Sequence, residues 1–115
     1  MESILVTIKK MLGIHEDDTA FDTDIIVAIN MALMVLNQLG VGPERCFVVT
    51  SKDNKWAEFL EDLTEFEAIK TYIYLKVRLV FDPPSTSFVI ASMERQITEL
   101  EWRFSVKAEG GTKNV

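Results

Sequence analysis

The chain is poor in the residues that most enzyme and metal sites use. It has one cysteine, Cys46, and one histidine, His15, among its 115 residues. A single cysteine cannot form a disulfide within the chain, so nothing in the sequence indicates an oxidising compartment. A cysteine-histidine nucleophilic site would need these two residues to meet, and no catalytic signature surrounds either of them. We therefore expect no enzyme activity and no cofactor, and we interpret Cys46 as a small buried apolar residue.

Basic residues and long apolar runs are also scarce. Twelve Lys and Arg against 18 Asp and Glu give a formal net charge of -6, which argues against nucleic-acid binding through phosphate contacts because that needs a clustered basic surface. An acidic wall past which DNA slides remains compatible with this charge. The longest apolar stretch, Ile25 to Leu36, contains Asn30 and is too short to span a bilayer. Near the N-terminus Glu2 precedes Lys9 and Lys10, the reverse of the charge order in a signal peptide, so we expect no export.

Two stretches look superficially like ligand-binding motifs. Five acids lie between Glu16 and Asp24, but they lack the alternating spacing and the central glycine of a calcium loop. We interpret them as acids at a helix start, with Asp22 as the N-cap, and expect no metal site. The run Gly40-Val41-Gly42-Pro43 follows a helix rather than a strand, which favours a helix cap and turn over a phosphate loop.

Apolar spacing predicts an all-α fold, a small helical bundle of three to four main helices. The predicted helices run from Ser3 to Gly13, from Ile25 to Leu39, from Lys55 to Glu61 with Asn54 as its cap, from Thr64 to the Asp82-Pro83-Pro84 break, and from Ser85 or Ser87 to about Val106. Between the second and third long helices, the β-prone run Cys46 to Thr50 predicts an extended or partly β loop. We expect residues 1–106 to form a single helical domain and residues 107–115 a flexible C-terminal tail.

The proline pair predicts an elbow between two long helices. Proline lacks a backbone N–H and restricts the residue before it. We therefore expect Asp82, Pro83 and Pro84 to end one helix and to set the direction of the next. We expect a hairpin in which a stripe from Phe66 to Val80 packs against a seam on the following helix. The seam consists of Val89, Met93, Ile97, Leu100 and Phe104. On its outer face Glu99 and Arg103 form a predicted i,i+4 pair.

The helix from Ile25 to Leu39 is apolar on nearly every side. A small bundle cannot easily surround one of its own helices, so we expect a neighbouring subunit to cover part of it. The predicted subunit contacts are Met31, Met34 and Val35 on this helix and Phe47, Val48 and Val49 in the loop after it.

Four stretches, taken in order, resemble the head-to-tail connector, or adaptor, proteins of long-tailed bacteriophages. They are FDTDII at 21–26, LNQLGVG at 36–42, AIKTYIYLKVRLVFDPP at 68–84 and ELEWR at 99–103, within a similarity that covers roughly Ile4 to Glu109. The resemblance implies a virion subunit, made in the bacterial host cytoplasm, that forms a homo-oligomeric ring beneath the portal protein. Such a ring prolongs the DNA channel, passes DNA without sequence-specific binding, and docks a tail-completion or stopper protein. The resemblance also implies that there is no active site.

Two other classes of function stay open at this point. One is a small helical interaction or regulatory module, of inhibitor or antirepressor type, that docks an acidic surface onto a basic partner. The other is an enzyme, which would need His15, Cys46 or the acidic cluster to converge in one pocket.

Overall fold

The structure, a computed structural model, describes residues 2–60 and 64–113, with side chains as far as residue 108. Within these ranges the protein is all-α, which confirms the predicted fold class. The helices are α1 (Ile4–Met11), α2 (Asp22–Gln38), α3 (Trp56–Phe59), α4 (Phe66–Phe81) and α5 (Ser87–Lys113). The loop between α2 and α3 contains no strand. The one β-bridge in the described ranges joins Ser3 to Lys55, which lies directly before α3.

Two helix boundaries follow directly from local chemistry. The Ser3 hydroxyl accepts a hydrogen bond from the Val6 amide (3.3 Å), which confirms Ser3 as the cap of α1. At the end of α2, Gly40 has a φ of +89°, and the Val41 amide donates to the Leu36 carbonyl (2.9 Å). This is the left-handed glycine cap that the sequence predicted.

Other predicted caps are wrong, because their side chains bind elsewhere. Asp22 is the first residue inside α2 and not its N-cap, which is Phe21. The carboxamide oxygen of Asn54 accepts from the Thr50 amide (2.8 Å) and so closes the preceding loop, while Lys55 takes the cap position of α3.

The predicted caps of the two later helices, α4 and α5, also differ from those in the structure. The N-cap of α4 is Glu65 rather than Thr64. At the start of α5 it is the Thr86 hydroxyl that accepts from the Val89 amide (3.4 Å), and neither Ser85 nor Ser87 does so. The predicted end of the short helix at Glu61 lies outside the described residues, and α3 itself ends at Phe59.

The central helix is α4, which packs against α1, α2 and α5. Phe21, just before α2, contacts Phe81 at the end of α4 edge to face, with ring centroids 5.5 Å apart. The start of α2 therefore lies beside the end of α4, and the two helices are antiparallel. The break between Phe81 and Ser87 contains Asp82, Pro83 and Pro84, after which α5 reverses direction. As a result α2 and α5 run in the same direction, and both pack against α4.

The core is closed by residues from all five helices. Trp56 of α3 is fully buried, contacts Phe66 edge to face (5.2 Å between centroids) and donates its indole N–H to the Thr7 hydroxyl (2.9 Å). The other buried apolar residues include Ile4, Ile8, Ile25, Ile29, Leu33, Leu36, Ile69, Tyr72, Ile73, Val77, Met93, Ile97 and Phe104.

The predicted hairpin seam is only partly buried. Met93, Ile97 and Phe104 are buried, but Val80 and Val89, the residues of the two stripes nearest the elbow, are exposed. These two side chains lie at the edge of the bundle, where no further element of the described chain covers them.

At its other end α5 continues to Lys113, beyond the predicted limit near Val106. The backbone of 107–113 is therefore helical, while the flexibility of 107–115 and the domain boundary at 106 stay predictions. None of the described helices is both long enough and apolar enough to cross a membrane.

Candidate interaction surfaces

A polar residue inside the apolar helix positions the loop after it. The Asn30 amide group donates to the Val49 carbonyl (2.9 Å), and its oxygen accepts from the Val49 amide (2.8 Å). Asn30 thus satisfies both backbone groups of an extended residue, as a neighbouring strand would. Sequence reasoning treated Asn30 only as an interruption, because nothing in the local pattern names its partner nineteen positions away.

One face of α2 is apolar and open to solvent. Val27, Met31 and Met34 are 55%, 50% and 51% exposed, at the spacing of four and three positions that places residues on one helix face. We call these three residues the α2 stripe. Val48 is also exposed, and the hydrogen bonds of the adjacent Val49 hold it alongside α2.

The structure separates the six residues predicted from sequence as subunit contacts. Met31, Met34 and Val48 are exposed, whereas Val35 and Phe47 are partly buried against the core. The Phe47 ring lies 5.6 Å from the Phe59 ring. Val49 is 1% exposed and packs inside its own chain. The role of all six residues at an interface stays a prediction. Only Met31, Met34 and Val48 can reach a neighbour without rearrangement.

A second exposed face lies on α5. Phe88, Trp102 and Val106 are 78%, 69% and 45% exposed, and they lie on the side opposite the buried residues Met93, Ile97 and Phe104. The sequence signal for this face is the helical angle: positions 88, 95, 102 and 106 share a face that the seam does not use.

Lys9, in the last turn of α1, is buried inside the chain. Its side chain is 2% exposed, and its ammonium donates to the carbonyls of Glu16 (3.1 Å) and Asp18 (2.7 Å). The ammonium also lies 2.8 Å from the Asp22 carboxylate. Lys9 therefore ties the backbone of the loop between α1 and α2, and the Asp22 carboxylate at the start of α2, to the body of the protein.

Ionisable side chains also join α4 to α5. The Tyr72 hydroxyl donates to the Glu101 carboxylate (2.7 Å), and burial, followed by this hydrogen bond and the carboxylate charge, raises the pKa of Tyr72 far above its ordinary value. Glu65 lies 3.5 Å from Arg103 and 3.0 Å from Lys107. The predicted pair of Arg103 with Glu99 is therefore wrong, because Arg103 turns toward the start of α4.

The residues considered for catalysis have separate surroundings. His15 is exposed and accepts a hydrogen bond from the Asp17 amide (3.1 Å). Cys46 is half-buried rather than buried, with its sulfur 3.8 Å from the Phe47 carbonyl oxygen. Among residues 2–60 and 64–113 no group of acids, His and Cys is arranged to hold a metal ion.

Comparison with known proteins identifies the family. The sequence model of the phage connector protein family matches residues 4–111, nearly the whole chain, and this confirms the resemblance carried by the four stretches. Searches of curated proteins and of solved structures return no significant match. The chain therefore belongs to the phage connector protein family, a family of structural phage proteins.

Proposed function

We propose that the protein assembles as a ring under the portal at the head-tail junction of the virion, prolongs the DNA channel and docks the tail. Family membership supports the structural phage role. The observation that carries the ring is the α2 stripe, since Val27, Met31 and Met34 are about half exposed on a helix whose opposite face is fully buried. A row of apolar side chains left in water on one subunit is the feature that a neighbouring subunit removes.

The size of the exposed surface indicates how assembly proceeds. Completing the burial of a half-exposed valine or methionine contributes about 1 kcal/mol, so the α2 stripe with Val48 contributes roughly 4 kcal/mol and an apolar partner face about as much again. The loss of translational and rotational freedom offsets at least about 4 kcal/mol of this, whereas a micromolar complex needs a net binding free energy of about 8 kcal/mol. Free subunits therefore associate weakly, and a portal that holds them in place supplies the local concentration that closes the ring.

Net charge supports the channel role. The formal charge of -6 favours a lumen that repels the phosphate backbone, so that DNA passes without sequence-specific binding. The same charge disfavours a basic nucleic-acid interface.

The test is assembly of the full chain with and without portal protein. We expect sedimentation velocity to show mostly monomer alone, and electron microscopy to show rings on the portal. Met34→Glu, which places a charge on the α2 stripe, should abolish the rings. Gln96→Glu adds the same charge at another exposed position and should leave them intact.

Two outcomes would contradict the proposal. One is a strict monomer that never joins portal complexes. The other is a defined dimer that forms no ring and co-purifies with a basic soluble partner from the host, which would favour the interaction module instead.

A further inference from the structure

The outer face of α5 has the same spacing as the α2 stripe. Its exposed residues are Phe88, Ala91, Arg95, Thr98, Trp102 and Val106, separated by three or four positions, and the exposed Glu99 lies at the edge of this face between Arg95 and Trp102. On α2 the stripe is extended at one end by the exposed Asp24, three positions before Val27. Two faces with three-four spacing can pack along each other, because the side chains of one fit between those of the other.

These faces are two different patches of the subunit. Both α2 and α5 pack against α4, and each exposed face lies opposite the buried residues of its own helix. A contact between two different patches of the same chain is head-to-tail, and it can repeat around a ring.

We infer that the α2 stripe of one copy packs against the outer face of α5 of the next copy, with Met34 against Trp102. This inference rests on the proposed ring and names its subunit contact. The two helices run in the same direction within one subunit. We take the ring axis to lie along the bundle. Rotation about such an axis keeps that direction, so α2 meets the neighbouring α5 in parallel.

The register follows from a contact between α5 and the turn just after α2. A Cβ on Gly40 would lie 3.0 Å from the Ala108 Cβ, so these residues are at about the same height. Met34 and Trp102 each precede this contact by six positions, about 9 Å along a helix, and α2 itself ends at Gln38. A closed ring has no translation along its axis, so residues of equal height meet across the contact.

The chemistry of the paired residues fits this register. A methionine thioether against an indole ring is a favourable contact, and Trp102 is the largest exposed side chain on that face. Within the described part of the chain, neither Asp24 nor Arg95 takes part in an ion pair. In the proposed register they lie about one helical turn apart, which a long arginine side chain can span.

A symmetric contact between two α5 helices fits less well. Phe88 and Trp102 lie equally far from Arg95 along the sequence. An antiparallel pair that matched Phe88 to Trp102 would therefore place Arg95 against its own copy, and like charges at the centre of a contact are unfavourable.

Cysteine cross-linking tests the inference in a Cys46→Ser background, in the presence of portal protein. Mixing a Met34→Cys chain with a Trp102→Cys chain should give a disulfide-linked dimer that neither chain gives alone. Met34→Cys mixed with Gln96→Cys is the matched control and should give none, since position 96 lies off the outer face of α5. Both α2 and α5 positions are exposed, so folding is retained and can be checked by circular dichroism.

Charge reversal gives an independent readout. Asp24→Arg and Arg95→Asp should each weaken assembly by about two- to fivefold, and the double variant should recover it. Rings without the Met34-Trp102 cross-link would overturn this inference and leave the proposed function standing. A cross-link between Phe88→Cys and Trp102→Cys chains would show the symmetric contact instead. Absence of rings with every variant and with the unmodified chain would overturn both proposals.

Discussion

Replacing Lys9 by methionine removes the charge that holds the loop between α1 and α2. Methionine keeps the unbranched apolar stem and has nearly the same helix propensity as lysine. The change therefore acts on the ammonium group alone. It leaves the carbonyls of Glu16 and Asp18 without their donor and the carboxylate of Asp22 without its counter-charge.

The expected cost follows from these lost partners. Removing one member of a buried ion pair costs about 3–5 kcal/mol, and a buried acceptor left unpaired costs about 1–3 kcal/mol. The Asp22 side chain is 26% exposed and recovers part of its hydration, which lowers the total. We expect the free energy of unfolding to fall by about 3 kcal/mol, and the Tm by about 10 °C.

The assay is urea and thermal denaturation followed by far-ultraviolet circular dichroism. Lys10→Met is the matched control, because the Lys10 side chain is 60% exposed and its ammonium lies 3.9 Å from Glu2. Both lysines are in the last turn of α1, so any effect of the helix dipole is common to the two variants. The control should lose less than about 0.5 kcal/mol. Equal stability of the two variants would refute the structural function of Lys9.

Three further changes test other contacts. Asn30→Ala leaves both backbone groups of Val49 unpaired, so we expect the free energy of unfolding to fall by about 2 kcal/mol and the Val49 amide to exchange faster with solvent. Unchanged exchange at this amide would contradict the prediction. Gly42→Ala should lower the free energy of unfolding more than Gly13→Ala does. Both glycines have positive φ, but of the two only Gly42 would place its added Cβ against another side chain, that of Phe59. Equal losses of stability in urea denaturation would show that no such collision occurs. The raised pKa of Tyr72 keeps its hydroxyl protonated in the folded state, so this residue adds stability that is constant below about pH 10 and declines above it by up to about 1.4 kcal/mol per pH unit. Tyr72→Phe should remove that part of the alkaline decline in urea denaturation, and parallel profiles for the two proteins would contradict it.

Parts of the fold that depend on neighbouring residues were predictable from sequence. Helical spacing predicted the all-α class, and Ser3 and Gly40 marked helix ends because a cap acts within a few residues of itself. The structure likewise has a break between α4 and α5 at Pro83 and Pro84. Cap predictions from local sequence were less reliable where a side chain had another possible partner. Asp22, for example, lies against Lys9 rather than capping α2.

The candidate contact surface was predictable only in outline. The excess of apolar residues on the second helix predicted a neighbouring subunit, which stays a prediction, and the structure shows that Met31 and Met34 are exposed. Val49 belongs to the core, because the bond to Asn30 turns its side chain inward and leaves Val48 outside. A run of β-prone residues does not reveal which of its alternating side chains face the core until its partner is known.

Sequence alone therefore determined the kind of protein: a small, acidic, all-α chain with one cysteine, one histidine and a family pattern across most of its length. Only the tertiary structure decided which residues are buried or exposed. It buried Lys9 among oxygens of the following loop and left Trp102 in water on the side of α5 opposite its buried residues. The reason is physical: burial depends on partners brought together by packing, and the residues next to a position in the sequence do not identify them.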